Sequence, residues 1–525
     1  MIPSRTIRRH SAHWAALLAL LFLVTGCGGT SGTKSSDPAD PTALDLWPGE
    51  KSGSLVPVRQ GCDILNGPAT PGGHLVFTFT ESVLPEHAPV PHNVSERVVF
   101  AQLYETLVNV DCSGEVRPGL AESWVPSADG LVWTLTLRQG ARFWDGSPVT
   151  ASELYQALLP NLDARMEVLD ERRLSFGIAD PRDRFLQRLA VPSLAISVTR
   201  PGWTWPVGSG PCRLRASDPP PLPDLTCLPN QNHPDWPHWK SLTFRILPGT
   251  DPRDLVATEM DLTLVRDTDE AAFFDEAPSF HSVPLPWNRL YLLVCPPDMN
   301  PRGADRWIQA SSQLDAGRDV TAVSARAWPE IVFPAGDSGF CSGLYGPTAP
   351  VKSARLDWNL AEKNLDPDVL VYPDDDPGAR EIAHRLGALA GRPVRTAALP
   401  AEGVDFALQW QMAGAFVLPL DQKYPTGCGQ MATLLGKAGW LQNAALGLGE
   451  PSSESLTGAD QAASLPVRTP AEALIQQNLV RPLGLSRSWL VVRGSLGGLE
   501  LTFDGIPLLA GLGKAADAAS GEARP

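Results

Sequence analysis

The chain has 525 residues, of which 43% are hydrophobic and 19% charged, and its formal net charge is −15 at pH 7. The length exceeds the roughly 250 to 300 residues at which a single hydrophobic core stops growing, so it indicates more than one folding unit. The acidic balance argues against binding to nucleic acid or to an anionic membrane surface, because both are themselves negatively charged.

The N-terminus has the pattern of an export signal. Arg5, Arg8 and Arg9 precede an apolar run that is too short for a permanent transmembrane helix and that ends in "VTGC". Small residues directly before a cysteine are typical of lipoprotein signals, so residues 1–27 are predicted to be a signal peptide with Cys27 as the lipidated residue. This predicts a location in the cell envelope, on its periplasmic or extracellular face. A plain secretory signal with an incidental cysteine is the alternative.

The region after the signal changes from a tether to a folded body. Residues 28–72 are rich in Gly, Ser, Thr, Asp and Pro, which predicts a flexible tether. In "HLVFTFT" the side chains of Leu75, Phe77 and Phe79 share one face, which predicts a half-buried strand. An apolar face then predicts a helix over about 95–107.

The segment 119–158 combines turns, a strand and the start of a helix. "LVWTLTLR" alternates apolar and polar residues after an Asp-Gly turn, which predicts a strand with one buried face. Thr150 and Glu153 form a T-x-x-E capping box, which predicts that the helix "ASELYQAL" begins there.

The later part of the chain alternates between strand and helix patterns. "DVLVYP" predicts a strand, and a helix is predicted to begin at Pro377 and to end at Gly391. The aspartates at 374–376 favour that helix N-terminus; a calcium site is the alternative, although no Asp-x-Asp-x-Asp-Gly loop surrounds them. "PVRTAAL", "DFALQW", "SWLVVRG" and "LELTF" are predicted as further strands. Such β-α-β order is typical of an α/β lobe.

The cysteines and short motifs do not indicate catalysis. None of the 8 cysteines forms the close CxxC pairs of zinc or redox sites, so we expect no metal and no cofactor. Two short strands around a Pro-rich turn predict a disulfide between Cys212 and Cys227. "GDSGF" at 336–340 echoes a serine-protease nucleophile turn, but a matching histidine context is absent. We expect no catalytic residues and no enzyme.

An ordered set of motifs identifies a family resemblance. The chain has Leu-Tyr-Glu at 103–105, Pro-x-Leu-Ala-x-x-Trp at 118–124, Leu-Arg at 137–138 and Phe-x-Asp-Gly-x-Pro-x-Thr-Ala at 143–151. This set resembles the family 5 extracellular solute-binding proteins, the dipeptide-, oligopeptide- and nickel-binding components of ABC importers. The resemblance covers about 74–510 and is closer before about 265 than after it.

The resemblance implies an α/β architecture: a two-lobed periplasmic-binding-protein-like fold of type II, with an extra subdomain in lobe I and a hinge between the lobes. The implied boundaries, in chain order, are 73–285 for lobe I, about 115–205 for its extra subdomain, 286–462 for lobe II, 463–512 for a return to lobe I and 513–525 for a disordered tail. The implied function is a lipid-anchored monomer that captures a small molecule or peptide and delivers it to ABC permease subunits. A divergent binding-fold lipoprotein with a sensory or envelope-interaction role, and no transport, is the alternative.

Candidate ligand-binding residues stand near strand ends and the expected crossing between lobes. A Trp at a strand end can form a pocket wall, and a carboxylate beside Trp faces suits a cationic or amine-bearing ligand. The candidates are Glu81, Tyr104, Trp287, Asn288, Gln409, Trp410 and Gln411.

Overall fold

The computed structural model describes residues 63–65, 69–160, 162, 164–178, 185–215, 224–235, 237–286, 288–297, 301–314, 320–323, 366–391, 393–421, 433–445 and 470–515. All of them lie in one compact unit of the chain, Leu46–Pro525. The predicted signal peptide, Cys27, Trp287 and the "GDSGF" segment lie outside the described residues. Within these ranges, no helix has the length and apolar character needed to cross a membrane.

The strands and helices are numbered separately, each in chain order. The strands are β1 (Asp63–Leu65), β2 (Ala69–Thr70), β3 (His74–Phe79), β4 (Val108–Val110), β5 (Val116–Pro118), β6 (Ala121–Pro126), β7 (Val132–Leu137), β8 (Arg165–Val168), β9 (Arg173–Gly177), β10 (Cys212–Arg213), β11 (Asp224–Pro229), β12 (Ser241–Ile246), β13 (Leu262–Val265), β14 (Phe280–Pro284), β15 (Arg289–Val294), β16 (Val320–Ala322), β17 (Asp366–Pro373), β18 (Arg395–Leu399), β19 (Ala413–Asp421), β20 (Val480–Ser486), β21 (Trp489–Arg493), β22 (Leu496–Gly497), β23 (Leu499–Leu501), β24 (Pro507–Leu508) and β25 (Gly513–Ala515). The helices are α1 (Val94–Leu103), α2 (Ala151–Leu158), α3 (Phe185–Arg188), α4 (Thr268–Glu276), α5 (Pro301–Ser312), α6 (Pro377–Leu389), α7 (Ala401–Gln409), α8 (Gly439–Ala445) and α9 (Pro470–Gln476).

A seven-stranded sheet forms the centre of the first lobe, with the strand order β10-β11-β12-β3-β13-β21-β14. β3 lies parallel to β12 and β13, whereas β21 runs antiparallel to β13 and β14. The strand predicted over "HLVFTFT" is confirmed as β3, where Leu75, Phe77 and Phe79 are buried. Thr78 on the opposite face is buried as well, because this strand is central and both faces of the sheet are covered.

A six-stranded sheet forms the centre of the second lobe, with the order β16-β20-β15-β19-β17-β18. Its two faces contribute to separate hydrophobic clusters: Leu292 and Val294 of β15 belong to one, and Tyr291 and Leu293 to the other. The predicted strand "DVLVYP" is confirmed within β17. The following helix is confirmed as α6, after which Gly391 adopts the left-handed φ of +74° that ends it.

The prediction of a strand over "DFALQW" is wrong, because those residues lie in helix α7 or directly after it. Val404, Ala407 and Leu408 are its buried positions, and a spacing of three and four residues is helical. The strand at this place in the sheet is the following one, β19. It is buried almost throughout because it lies centrally, so its sequence shows no alternation.

A smaller antiparallel sheet, β6-β7-β9-β8, contains the strand predicted within 119–158. The predicted helix start after it is also confirmed: Thr150 is the N-cap of α2, and its hydroxyl oxygen accepts a hydrogen bond from the Glu153 backbone N–H at 3.3 Å. In the first lobe, the short strands β10 and β11 pair in antiparallel fashion. Cys212 and Cys227 on these strands form a disulfide, with their Cα atoms 5.5 Å apart.

Two chain segments cross between the large sheets, one from β14 to β15 and the other from β20 to β21. They run side by side, because Leu285 N donates to Ser488 O at 2.9 Å and Asn288 N donates to Ser486 O at 3.3 Å. The expected return to lobe I at residue 463 differs from this topology. β20 still pairs with β15 and β16 in the second sheet, so the chain re-enters the first sheet only at β21.

Candidate functional site

A cavity of about 50 Å³ lies where the two lobes meet, beside the two crossings. The first lobe contributes the N-terminal end of α1, and the second lobe contributes the N-terminal end of α6 and the ends of β15 and β19. Ligand pockets commonly measure about 300 to 1,000 Å³, and one liquid water occupies about 30 Å³. The space between the described residues of the two lobes is therefore smaller than a typical ligand pocket.

Arg289, the first residue of β15, is the central charge of the second-lobe wall. Its Nε and Nη2 donate to the two carboxylate oxygens of Asp421 at 2.5 and 3.0 Å, and its Nη1 donates to Asp376 at 2.5 Å. Burial acts to lower the pKa of Arg289, but the negative charges of Asp421 and Asp376 outweigh it and raise the pKa well above its ordinary value. The guanidinium therefore remains charged and joins the end of β19 to the start of α6.

Asp376 combines two roles at the N-terminus of α6. Its Oδ1 accepts from the backbone N–H of Ala379 at 2.8 Å and from the hydroxyl of Tyr291 at 2.9 Å. The prediction that negative charge stabilises this helix start is thus confirmed. Burial, and secondarily the charge of Asp376, raise the pKa of Tyr291, so its hydroxyl stays protonated and donates. In the described ranges, no group of three or more acidic, His or Cys side chains could hold a metal ion.

Two arginines line the first-lobe side, and both are ion-paired. Arg97 on α1 binds the carboxylate of Asp504. Arg266 binds Glu81 at 2.5 Å, and that carboxylate also accepts from the N–H and hydroxyl of Ser95 at 3.1 and 2.9 Å. The structure therefore places the predicted residue Glu81 behind the cavity wall, as the partner of Arg266.

Arg266 also acts across the cleft on the second lobe. Burial raises the pKa of Asp375, next to the α6 N-cap, and the positive charge of Arg266 opposes that shift. This arginine is therefore within electrostatic reach of carboxylates from both lobes.

Among the other predicted residues that the structure describes, only Asn288 lines this cavity; its Nδ2 donates to the backbone oxygen of Asp504 at 3.3 Å. Tyr104 ends α1, is buried within the first lobe and donates its hydroxyl to Pro206 O at 3.2 Å. Gln409, Trp410 and Gln411 lie at the C-terminal end of α7, because their segment is a helix. They do not line the cavity, and Trp410 is 57% exposed.

Arg289, Asp421 and Arg97 are site residues that were not predicted from the sequence. The sequence around Arg289 and Asp421 nevertheless contains features that could have identified them. Asp421 is the charged residue that closes the apolar run "AGAFVLPL", and Arg289 directly follows the predicted Asn288 at the crossing. A charge at the end of a buried strand is costly unless it has a partner or a role, so both positions qualify as candidates.

A larger cavity, of about 970 Å³, lies within the first lobe. Glu105 in its wall accepts from Arg138 at 2.5 and 2.7 Å and pairs with His233 Nε2 at 3.1 Å. Burial acts to raise the pKa of Glu105, but the hydrogen bonds from Arg138 and His233 lower it to about 2. These buried groups satisfy one another and join distant segments of one lobe. The cavity between the lobes is therefore the better candidate for a site that opens and closes.

Two α/β lobes, two adjacent crossings and a cavity between them define the two-lobed fold of periplasmic binding proteins. Solved structures confirm this class of fold. The chain resembles the dipeptide-binding protein of Pseudoalteromonas sp. SM9913 in complex with Met-Leu (TM-score 0.61, 15% identity, 84% of this chain and 100% of that chain). It also resembles the murein tripeptide-binding protein MppA of Escherichia coli (TM-score 0.57, 16% identity, 86% of this chain and 100% of that one).

The sequence comparisons show similarity to one family over part of the chain. Residues 115–282 match the sequence model of the bacterial extracellular solute-binding proteins, family 5 Middle. The nickel-binding periplasmic protein of Escherichia coli (strain K12) is 30% identical over 227 residues, which are 37% of this chain and 42% of that protein. The glutathione-binding protein GsiB of Salmonella typhi is 29% identical over 143 residues, 22% of this chain and 27% of that protein. The matches thus span less than half the length of these curated relatives. Residues 115–282 therefore resemble the middle region of the family 5 extracellular solute-binding proteins, and part of the predicted motif set lies in this segment.

Proposed function

We propose that the protein captures a small solute, a peptide or peptide-like molecule, between its two lobes and delivers it to the permease subunits of an ABC importer. The observation that carries this proposal is the cavity whose charged walls come from both lobes. A ligand that contacts both walls favours the closed state by its differential affinity, which is how a binding protein signals that it is loaded.

The relatives support the same role. The matched family consists of substrate-binding proteins rather than enzymes, and relatives are named for nickel, glutathione and peptides. In this proposal Cys27 carries the lipid that holds a monomer at the membrane surface outside the cytoplasm, and no catalytic residue or cofactor takes part.

The proposal is tested by thermal unfolding of the purified protein against peptides, metal chelates, sugars and small organic acids. A ligand present at 100 times its dissociation constant stabilises the folded state by about 2.7 kcal/mol, which is measured as a rise in Tm. As a matched pair, Asp421→Asn is expected to weaken the shift and Asp254→Asn, in an exposed short 3-10 helix, to leave it unchanged. If no compound in the screen raises Tm, the solute-binding role is contradicted and the sensory or envelope alternative is favoured.

A further inference from the structure

A tight turn at 502–506 joins β23 to β24 in the first lobe. The Thr502 N–H donates to Ile506 O at 2.9 Å, and the Gly505 N–H donates to Thr502 O at 3.0 Å. Gly505 has a left-handed φ of +78°, which residues other than glycine adopt only at a cost. Asp504 is 3% exposed. The turn is therefore compact, and its acidic side chain is buried rather than solvated.

Helix α1 fixes this turn to the first lobe at two places. Arg97 Nε donates to Asp504 Oδ2 at 2.5 Å. Further along the helix, Gln102 Nε2 donates to Pro507 O at 3.0 Å, and its Oε1 accepts from the Leu509 N–H at 3.0 Å. The N-terminal end of α1 forms part of the wall of the cavity between the lobes. The turn is therefore held in one position relative to that wall.

The other side of the turn contacts the crossing from β14 to β15. Asn288, the last residue before β15, donates its Nδ2 to Asp504 O at 3.3 Å. A Cβ added at Gly505 would lie 3.3 Å from Pro286 Cδ and 3.8 Å from Asn288 Nδ2. The same crossing is hydrogen-bonded to the second crossing. An element of the first lobe is thus packed on a connecting segment, and lobes that move relative to each other do so through such segments.

Building on the lobe movement of the proposed function, we propose that the 502–506 turn sets the separation of the two lobes. In this inference Asn288 is a positioning residue that acts through the turn, although the sequence predicts it as a ligand contact. Asp504 joins the two sides, because its carboxylate holds Arg97 in the cavity wall and its backbone oxygen holds Asn288 in the crossing. A weaker contact between turn and crossing shifts the population towards more widely separated lobes.

The first test compares two glycines that share a left-handed backbone and differ in their neighbours. In the ligand-free, full-length protein, Gly505→Ala places a Cβ against Pro286 at a φ of +78°. The control Gly494→Ala has a φ of +68°, and its Cβ meets no atom within 4 Å. Both variants bear the cost of an unfavourable φ, so Tm is expected to fall in both. Only Gly505→Ala is expected to increase the radius of gyration measured by small-angle X-ray scattering.

Hydrogen exchange provides a local readout at the crossing itself. The backbone N–H groups of Leu285 and Asn288 bond to the second crossing. Their exchange is expected to become about two- to tenfold faster in Gly505→Ala, the range that corresponds to the net contribution of one hydrogen bond. Gly494→Ala is expected to leave both rates unchanged.

A second variant removes the hydrogen bond without altering the turn. Asn288→Ala is expected to increase the ligand-free radius of gyration and the same two exchange rates. Asn109→Ala is its control, because Asn109 Nδ2 donates to Pro118 O at the same 3.3 Å within the first lobe. A residue that only contacts a ligand would leave the ligand-free radius unchanged, so this measurement separates the two roles of Asn288.

The outcomes that overturn the inference are defined by these pairs. If one variant fails to fold, the other decides. Unchanged radius and exchange in the folded variants, or equal changes in the variants and their controls, overturn it. Faster exchange without a larger radius also overturns it, because the turn then supports the crossing without setting the lobe separation. The thermal screen for ligands uses the unaltered protein and therefore tests the proposed function independently.

Discussion

Gly378 lies directly against the hydroxyl of Tyr291, so this position has no room for a larger residue. A Cβ at this position would overlap that hydroxyl oxygen, which donates to Asp376. We predict that Gly378→Ala displaces Tyr291 and destabilises the protein by about 1 to 3 kcal/mol, the usual cost of overpacking. Urea unfolding measures the change, and Gly436→Ala, where a Cβ meets no atom within 4 Å, is the control. Equal effects of both substitutions would show that the contact is unimportant.

Glu105 makes the stability of the first lobe dependent on pH. Its pKa is lowered from 4.5 to about 2 by Arg138 and His233 despite burial. A carboxyl whose pKa is depressed by folding stabilises the protein fully above its ordinary pKa and loses that contribution as the pH falls towards the folded value. The wild type should therefore lose up to about 3 kcal/mol between about pH 4.5 and pH 2 through this group.

The corresponding variant is Glu105→Gln. We expect it to be less stable than the wild type at pH 7, because Arg138 is left buried beside a neutral group, and to show a flatter stability profile from pH 5 to pH 2. Chemical unfolding across this range is the measurement, with the exposed Glu122→Gln as control. Parallel profiles for wild type and Glu105→Gln would contradict the assigned role.

At the scale of elements, the start of α2 depends on one side chain. Thr150 accepts from the Glu153 N–H, and the Glu153 side chain binds Arg200 at 2.7 Å. We predict that Thr150→Ala costs about 1 kcal/mol, the usual value for loss of an N-cap, whereas Ser152→Ala at an exposed position in the same helix changes stability by less than about 0.5 kcal/mol. Thermal unfolding distinguishes the two; a similar Tm for both would contradict the capping role.

Strands with alternating apolar residues and helices with clear start or end signals could be predicted from the sequence. Strands that are buried on both faces could not. β3 and α2 have an alternating face or a capping box, and α6 has both a Pro start and a Gly end. β19 is covered on both sides by separate clusters, so Ala415 and Phe416 face different cores and the sequence reads as uniformly apolar. α7 has only nine residues, too few for its helical spacing to be distinguished from a short strand.

The candidate site was less predictable than the fold. Asn288 was found because it stands at the crossing, but the partners of Arg289 come from residues 376 and 421, which lie far apart in the chain and meet only through the order of strands in the second sheet. Glu81 was expected to meet a ligand, but the nearby Arg266 satisfies it. Sequence identifies the charges, whereas the pairing between them depends on tertiary structure.

At the scale of the whole molecule, the two crossings are the only described connections between the large sheets. We therefore predict that the radius of gyration measured by small-angle X-ray scattering decreases when a bound ligand is added, because the population shifts from open to closed lobes. A compound that leaves Tm unchanged in the thermal screen is the control. An unchanged radius with a saturating ligand would contradict closure as the response to binding.

The ends of the described chain meet in the first lobe. β1 pairs with β23 and β2 pairs with β25, so Asp63 lies opposite Glu500 and Ala69 opposite Ala515. Contacts of such large sequence separation form slowly, and the N-terminal strands have no partner until the last strands have been synthesised. The second lobe has most of its strands in one intermediate stretch of chain and can fold earlier. The first lobe is therefore completed only after the last strands have been synthesised, and a chain that ends before β23 lacks partners for both N-terminal strands.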